Sequence, residues 1–229
     1  MRFDTVLQPD TSVAAGQGNR VLRNTYLMLG LTMIPTVIGA FLGLSMNFGF
    51  MAEHPIMFAL GSLAVMMGLF FGINATRNSA MGVVLLLILT GFMGVMLGPI
   101  LQVALGFSNG GQIVGLAAGG TGAIFLTLAG VTTTTKRDFS FLGKFLMIGL
   151  VLVILASLAN LYFQIPALAL TISAVSVLIF SGFILFDVQR VVSGGETNYV
   201  MATLAIYLDI YNLFVSLLQL LMAFMGERD

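Results

Sequence analysis

The chain has no cysteine, no tryptophan, one histidine (His54) and few charges, with nine basic and nine acidic residues among 229. Without cysteine there can be no disulfide framework, no thiolate metal site and no thiol nucleophile. A net charge of zero and a pI near 6.6 give no basic surface for nucleic acid. What fills the space left by charge is apolar. The chain is 59% hydrophobic, with a mean hydropathy of +1.06. A soluble domain could not bury so much apolar surface, so the sequence reads as an all-α polytopic membrane protein whose first partner is the lipid bilayer. The first 24 residues are polar and do not resemble a cleaved leader.

A spanning helix needs about 20 apolar residues. Stretches of that length fall at Thr25–Ser45, Pro55–Asn74, Ala80–Leu101, Gly111–Thr132, Phe141–Gln164, Ala167–Asp187 and Met201–Met225. The fifth and sixth are separated by little more than Pro166, which acts as a helix breaker. Gly98-Pro99 is expected to kink or break the third. Arg2, Arg20, Arg23, Arg77, Lys136, Arg137, Lys144 and Arg190 all fall on one side of a seven-span bundle, and only Arg228 on the other. Positive residues stay in the cytoplasm, so the N-terminus is expected inside and the C-terminus outside. Residues 1–24 then form a polar cytoplasmic tail, and residues 25–229 the transmembrane domain. A multi-pass protein of a bacterial inner membrane fits this pattern.

The 27 glycines often fall four apart, as in Gly111-Gly115-Gly119, Gly68-Gly72 and Gly94-Gly98. Small residues at that spacing let helices approach closely in lipid, and intramolecular packing is the first expectation for them. A glycine-lined pore or a dimer seam would use the same pattern. The 15 methionines and 19 phenylalanines read as lipid-facing and gap-filling residues.

Two aspartates break the apolar pattern: Asp187, closing Ile184-Leu185-Phe186-Asp187, and Asp209, inside Ile206-Tyr207-Leu208-Asp209-Ile210. A carboxylate at bilayer depth costs roughly 2.5–3.5 kcal/mol, so such a residue usually faces a cavity or a partner. Asp209, Asn212, Ser216 and Gln219 share one helical face. The opposite face, with Ile210, Leu213, Leu217 and Leu221, is expected to meet lipid. The sixth span carries a weaker stripe of Ser173, Ser176, Phe180 and Asp187. Two carboxyls within hydrogen-bond reach in a dry place would share a proton and act as a pH-dependent latch. Doubly ionised, they would attract a cation. With a few hydroxyl and amide oxygens from Asn212 and Ser216 they fall short of the six to eight oxygens of a tight Ca²⁺ site, so weak, transient Ca²⁺ binding is expected. A plainer reading puts Asp187 beside Arg190 in the headgroup region and gives Asp209 a hydrogen bond from Tyr207. Glu196, after Gly194-Gly195, is expected to cap the last helix, with pairing to Arg190 or guarding a cytoplasmic mouth as the alternatives.

The segments Val21-Leu22-Arg23-Asn24-Thr25-Tyr26, Leu97-Gly98-Pro99, Asp138-Phe139-Ser140-Phe141-Leu142-Gly143, Gly194-Gly195-Glu196-Thr197-Asn198-Tyr199 and Tyr207-Leu208-Asp209-Ile210-Tyr211-Asn212-Leu213-Phe214 resemble the Bax-inhibitor-one (TMBIM) family, and its bacterial branch most. The resemblance runs from the first span to the last. It implies a seven-helix bundle with one central helix. It also implies a pH-sensitive Ca²⁺ leak gated by an aspartate pair, here Asp187 and Asp209, with Ca²⁺ as permeant ion and no cofactor. Arg77 matches by position an arginine that latches onto this pair. The second-helix glutamate of a channel-forming relative has no counterpart in Ala64-Val65-Met66-Met67. The bacterial branch is associated with binding and restraining the FtsH membrane protease, and the tail Met1 to Gly18 would be the handle for it.

Catalysis fits poorly. An intramembrane aspartyl protease needs Gly-x-Gly-Asp, whereas Ile206-Tyr207-Leu208 precedes Asp209. His54 lies in a loop beside Pro55, out of reach of a membrane-embedded serine, and the last span has no lysine for a retinal. The sequence thus predicts a non-enzymatic membrane protein, either an ion leak or a protease regulator.

Overall fold

A computed structural model describes residues 11–135 and 139–227 of the protein. Met1 to Asp10 of the tail, together with Lys136, Arg137, Asp138 and Arg228, lie outside the described residues. The helices in chain order are α1 (Thr11–Ser45), α2 (Gly49–Glu53), α3 (Pro55–Thr76), α4 (Ala80–Met96), α5 (Gly98–Leu105), α6 (Gly110–Thr134), α7 (Leu142–Phe163), α8 (Pro166–Val192) and α9 (Tyr199–Met225). Seven spans result, with α4 and α5 together forming the third and α2 lying between the first and second.

The breaks follow local chemistry. Pro166 takes the first position of α8, where its missing N–H is not needed. Gln164 ends α7 in a left-handed turn (φ 50°, ψ 41°), and the Asn160 side chain accepts the Ile165 N–H at 2.9 Å. In the third span, Leu97 alone separates α4 from α5, since Pro99 cannot donate to the carbonyl four residues back.

Several boundaries differ from the sequence reading; the third span, for example, runs to Leu105 and not Leu101. The sixth span does not stop at Asp187 but runs to Val192, because Ile184, Val188 and Val191 are all buried and keep one face of the helix in the core. The last begins at Tyr199, where the Asn198 side chain accepts the N–H groups of Val200 and Met201. Helix α1 starts at Thr11, so the described part of the expected tail is helical and continuous with the first span.

Helix α9 is the centre of the bundle, packing against α8, α6, α1, α4 and α3, while α7 rests chiefly on α8. This corrects the expectation that the face of α9 with Ile210, Leu213, Leu217 and Leu221 meets lipid: Leu213 is fully buried and the other three are half-buried. Lipid is met instead by α3 and α7, with exposed residues such as Phe71, Phe145 and Leu152.

The glycine stripes divide into two kinds. Between α1 and the third span (α4 and α5) a Cβ added at Gly94 would lie 2.2 Å from the Thr36 carbonyl oxygen, one at Gly39 2.2 Å from that of Gly91, and one at Gly98 2.7 Å from that of Gly43. Only hydrogen fits there, and α1 and α4 form the most extensive helix pair of the bundle. Gly111, Gly115 and Gly119 have no neighbour within 4 Å of such a Cβ. For that stripe the expectation of intramolecular packing is wrong, since helix periodicity aligns small residues whether or not a partner faces them.

Candidate functional site

The polar residues of α8 and α9 converge because the two helices are antiparallel and in close contact. The Asp187 and Asp209 carboxyls lie within hydrogen-bond reach of one another. A bond between two carboxyls requires a proton on one of them, since an ionised carboxylate only accepts. Asp209 is 6% exposed and its Oδ2 is buried with no hydrogen-bond partner among the described residues. The Asp187 side chain is 13% exposed.

A cavity of about 680 Å³ lies between α7, α8 and α9, and the carboxyl pair closes one part of its wall. Asn212, Ser216 and Gln219 line it from α9, and Ser173 and Ser176 from α8. The hydroxyl of Ser173 donates to Gln219 Oε1 at 2.6 Å. Asn212 donates one of its two amide hydrogens to the Leu208 carbonyl at 2.8 Å and Ser216 its hydroxyl hydrogen to that of Asn212 at 2.7 Å, which leaves their side-chain oxygens as acceptors. The side facing α7 is apolar, with Ser157 its one hydroxyl.

The basic partner of the pair is Arg190. Its Nη1 stands 3.9 Å from Asp187 Oδ1, while its Nη2 donates to Glu196 Oε2 at 3.1 Å. Arg77, expected as the latch, is not brought to the pair. It ends α3 with an exposed side chain and makes no ion pair within 4.0 Å among the described residues. Only its carbonyl is engaged, accepting from Asn198 Nδ2 at 3.0 Å. Tyr207 does not bond Asp209 either. It points to the other flank of α9, where its hydroxyl lies 2.9 Å from Thr36 Oγ1.

Glu196 is not the cap of α9. Asn198 holds that position, and Glu196 binds the Asn198 N–H at 2.9 Å while holding Arg190. The signal was in the sequence, since Asn is a stronger N-cap than Glu. Sequence reasoning also passed over Phe183, which lines the cavity beside Phe180, because an aromatic in an apolar span carries no signal of its own.

A central helix packed against five others, and a carboxyl pair at a polar cavity, define a class of helical membrane protein built on an intramembrane acid pair. The chain belongs to the Bax1-I family, described as "Inhibitor of apoptosis-promoting Bax1", whose profile matches residues 18–226. It is similar to "Modulator of FtsH protease YccA" of Escherichia coli K12, 41% identical over 203 residues that cover 89% of this chain and 90% of the relative. It is equally similar to "Inner membrane protein YccA" of Escherichia coli O6:H1, and 43% identical to a membrane protein of Vibrio cholerae over 211 residues, 92% of each chain. With seven spans and such relatives, it is a multi-pass inner-membrane protein.

Proposed function

We propose that the protein is a non-enzymatic, proton-sensitive cation leak in which Asp187 and Asp209 form the gate and Ca²⁺ is the permeant ion. The observation that carries this reading is the contact between two carboxyls from different helices at a polar cavity. With one proton shared, the pair ties α8 to α9. Once that proton is lost, two like charges face each other, and the tie becomes a repulsion that a cation relieves. Groups of three or more His, Cys, Asp or Glu suited to a metal are absent among the described residues. Too few oxygens are therefore present to hold Ca²⁺ tightly, which favours passage over storage. Arg77, Lys144 and Arg190 support a cytoplasmic position for the end of the bundle that carries them.

Ca²⁺ flux into proteoliposomes across a pH series tests the gate. Wild type is expected to leak with a pH dependence that Asp209→Asn and Asp187→Asn remove, since an amide keeps a hydrogen bond and cannot ionise. An unchanged pH profile in both variants would take the pair out of the mechanism.

The name of the Escherichia coli K12 relative favours a second role, modulation of the FtsH protease. Residues 1–17 lie outside the part matched by the family profile, which suits a partner-specific handle. Co-purification with FtsH after mild detergent extraction, lost on deletion of Met1 to Gly18, is the expected result. Retention of the protease by the truncated chain would move the contact into the bundle.

A further inference from the structure

On the flank of α9 away from the carboxyl pair, α1 and α6 stand apart. Each packs on α9, and no extensive packing joins them beyond the edge-to-face contact of Tyr26 with Phe125, whose ring centroids are 6.2 Å apart. Between them lies a groove of about 990 Å³, lined from α9 by Tyr207, Tyr211 and Phe214. It opens sideways, since Phe41 and Leu126 in its walls are 69% and 70% exposed. Such residues on spanning helices meet lipid.

The lining is almost wholly apolar. The hydroxyls of Thr36, Thr121, Thr133 and Tyr211 donate to carbonyls of the protein at 2.8, 2.7, 3.0 and 3.2 Å, so they offer a ligand no hydrogen. The α1 wall, Tyr26 to Leu44, is about 27 Å long, and the α6 wall, Val114 to Thr133, about 28 Å. Both approach the roughly 30 Å of a bilayer's hydrocarbon core. Spread over that length the volume gives a section about 7 Å across, too narrow to seat a helix of roughly 10–12 Å. Hydrocarbon chains, whose carbons pack at about 3.5–4.0 Å, fit.

One end of the groove carries charge. Arg23 lies three and seven residues before Tyr26 and Gly30, hence on the face of α1 that lines the groove. The walls are antiparallel and staggered. Past the contact of Tyr26 with Phe125, the α6 wall continues to Thr133, about 12 Å further. Alongside that stretch α1 carries Arg23 and Arg20, about 4.5 and 9 Å beyond Tyr26. Both arginines are exposed, and neither makes an ion pair among the described residues. A free guanidinium at the end of an apolar groove of bilayer length is complementary to a phosphate above acyl chains.

We propose that the groove between α1 and α6 holds an anionic phospholipid, its acyl chains in the groove and its phosphate on Arg23. The assignment goes beyond the leak and does not depend on it, because it concerns the other flank of α9.

The test uses the full purified chain in detergent and native mass spectrometry. Dioleoyl phosphatidylglycerol is titrated against dioleoyl phosphatidylcholine, which has the same chains and no net charge. One saturable phosphatidylglycerol site is expected, preferred about fivefold over phosphatidylcholine. Glycerol 3-phosphate, the head without the chains, should not displace it. Arg23→Gln is expected to abolish the preference and Arg23→Lys to keep it. Gly122→Leu fills the groove from α6, where nothing lies within 4 Å of an added Cβ, and should weaken both lipids about tenfold. Equal affinity for the two lipids on the wild-type protein would overturn the proposal, as would displacement by glycerol 3-phosphate. An unchanged preference in Arg23→Gln, or unchanged binding in Gly122→Leu, would do the same. A dimer that retains no lipid and is lost in Gly122→Leu would give the groove to a second copy of the chain, against the proposal.

Discussion

The two flanks of α9 solve the same problem in opposite ways. Toward α1 and α4 its polar groups are closed off. Tyr207 lies 2.9 Å from Thr36 Oγ1, Tyr211 donates to the Met93 carbonyl at 3.2 Å, and behind them a glycine seam brings backbones together. Toward α7 and α8 the helix carries Asp209, Asn212 and Ser216 into a cavity, and one carboxylate oxygen has no partner among the described residues. One flank therefore fixes the helix, and the other leaves a polar group unsatisfied for a proton or a cation to meet. A buried polar group left unpaired costs roughly 1–3 kcal/mol. That cost is tolerated on a flank whose opposite side is rigid.

Substitutions that erase this difference should have effects in a definite order. The largest is expected from Gly94→Ala. Its Cβ would sit 2.2 Å from the Thr36 carbonyl oxygen and 2.9 Å from the Thr36 Cα, so two helix backbones must separate. A loss of about 3 kcal/mol, read as a lowered midpoint of thermal unfolding in detergent, would confirm that the satisfied flank is the rigid one. Tyr207→Phe should cost about 1 kcal/mol, because it removes the partner of Thr36 Oγ1 while keeping the ring. A neutral result there would mean that the network is incidental. Gly115→Ala should change stability by less than about 0.5 kcal/mol, since nothing lies within 4 Å of the added carbon. A large effect would reveal a partner against α6.

The cysteine-free background permits a direct contrast between the flanks. Ser216→Cys, at the cavity, should react with a small water-soluble maleimide, whereas Leu213→Cys, fully buried three residues earlier, should not. Equal labelling of the two would erase the distinction between the flanks.

How much of this was legible depended on whether a feature is local. The spans follow from length and hydropathy, and Pro166 and Gly98-Pro99 mark their breaks through backbone chemistry that needs no neighbour. The common face of Asp209, Asn212 and Ser216 follows from helical period alone. Tertiary facts were hidden. Spacing aligns Gly94 with Gly98 and Gly111 with Gly115 in the same way, yet only the first pair has a helix against it. The Leu213 face looked suited to lipid because nothing in a single helix says that it lies at the centre. Asp187 beside Arg190 was legible from their spacing of three, whereas only the fold shows that Arg77, also at the end of a span, is not brought to the pair.

The break between α4 and α5 would ordinarily be a joint, since a helix interrupted at Pro99 has lost the bond that stiffens it. Here the short arm is not free to swing. The Gln102 amide donates to the carbonyls of Gly43, Leu44 and Met46 at 3.1, 3.2 and 2.9 Å, occupying the open end of α1. The joint is locked with its own side chain, and α1, α4 and α5 move as one plate. The acid pair lies away from this plate, where α8 meets α9.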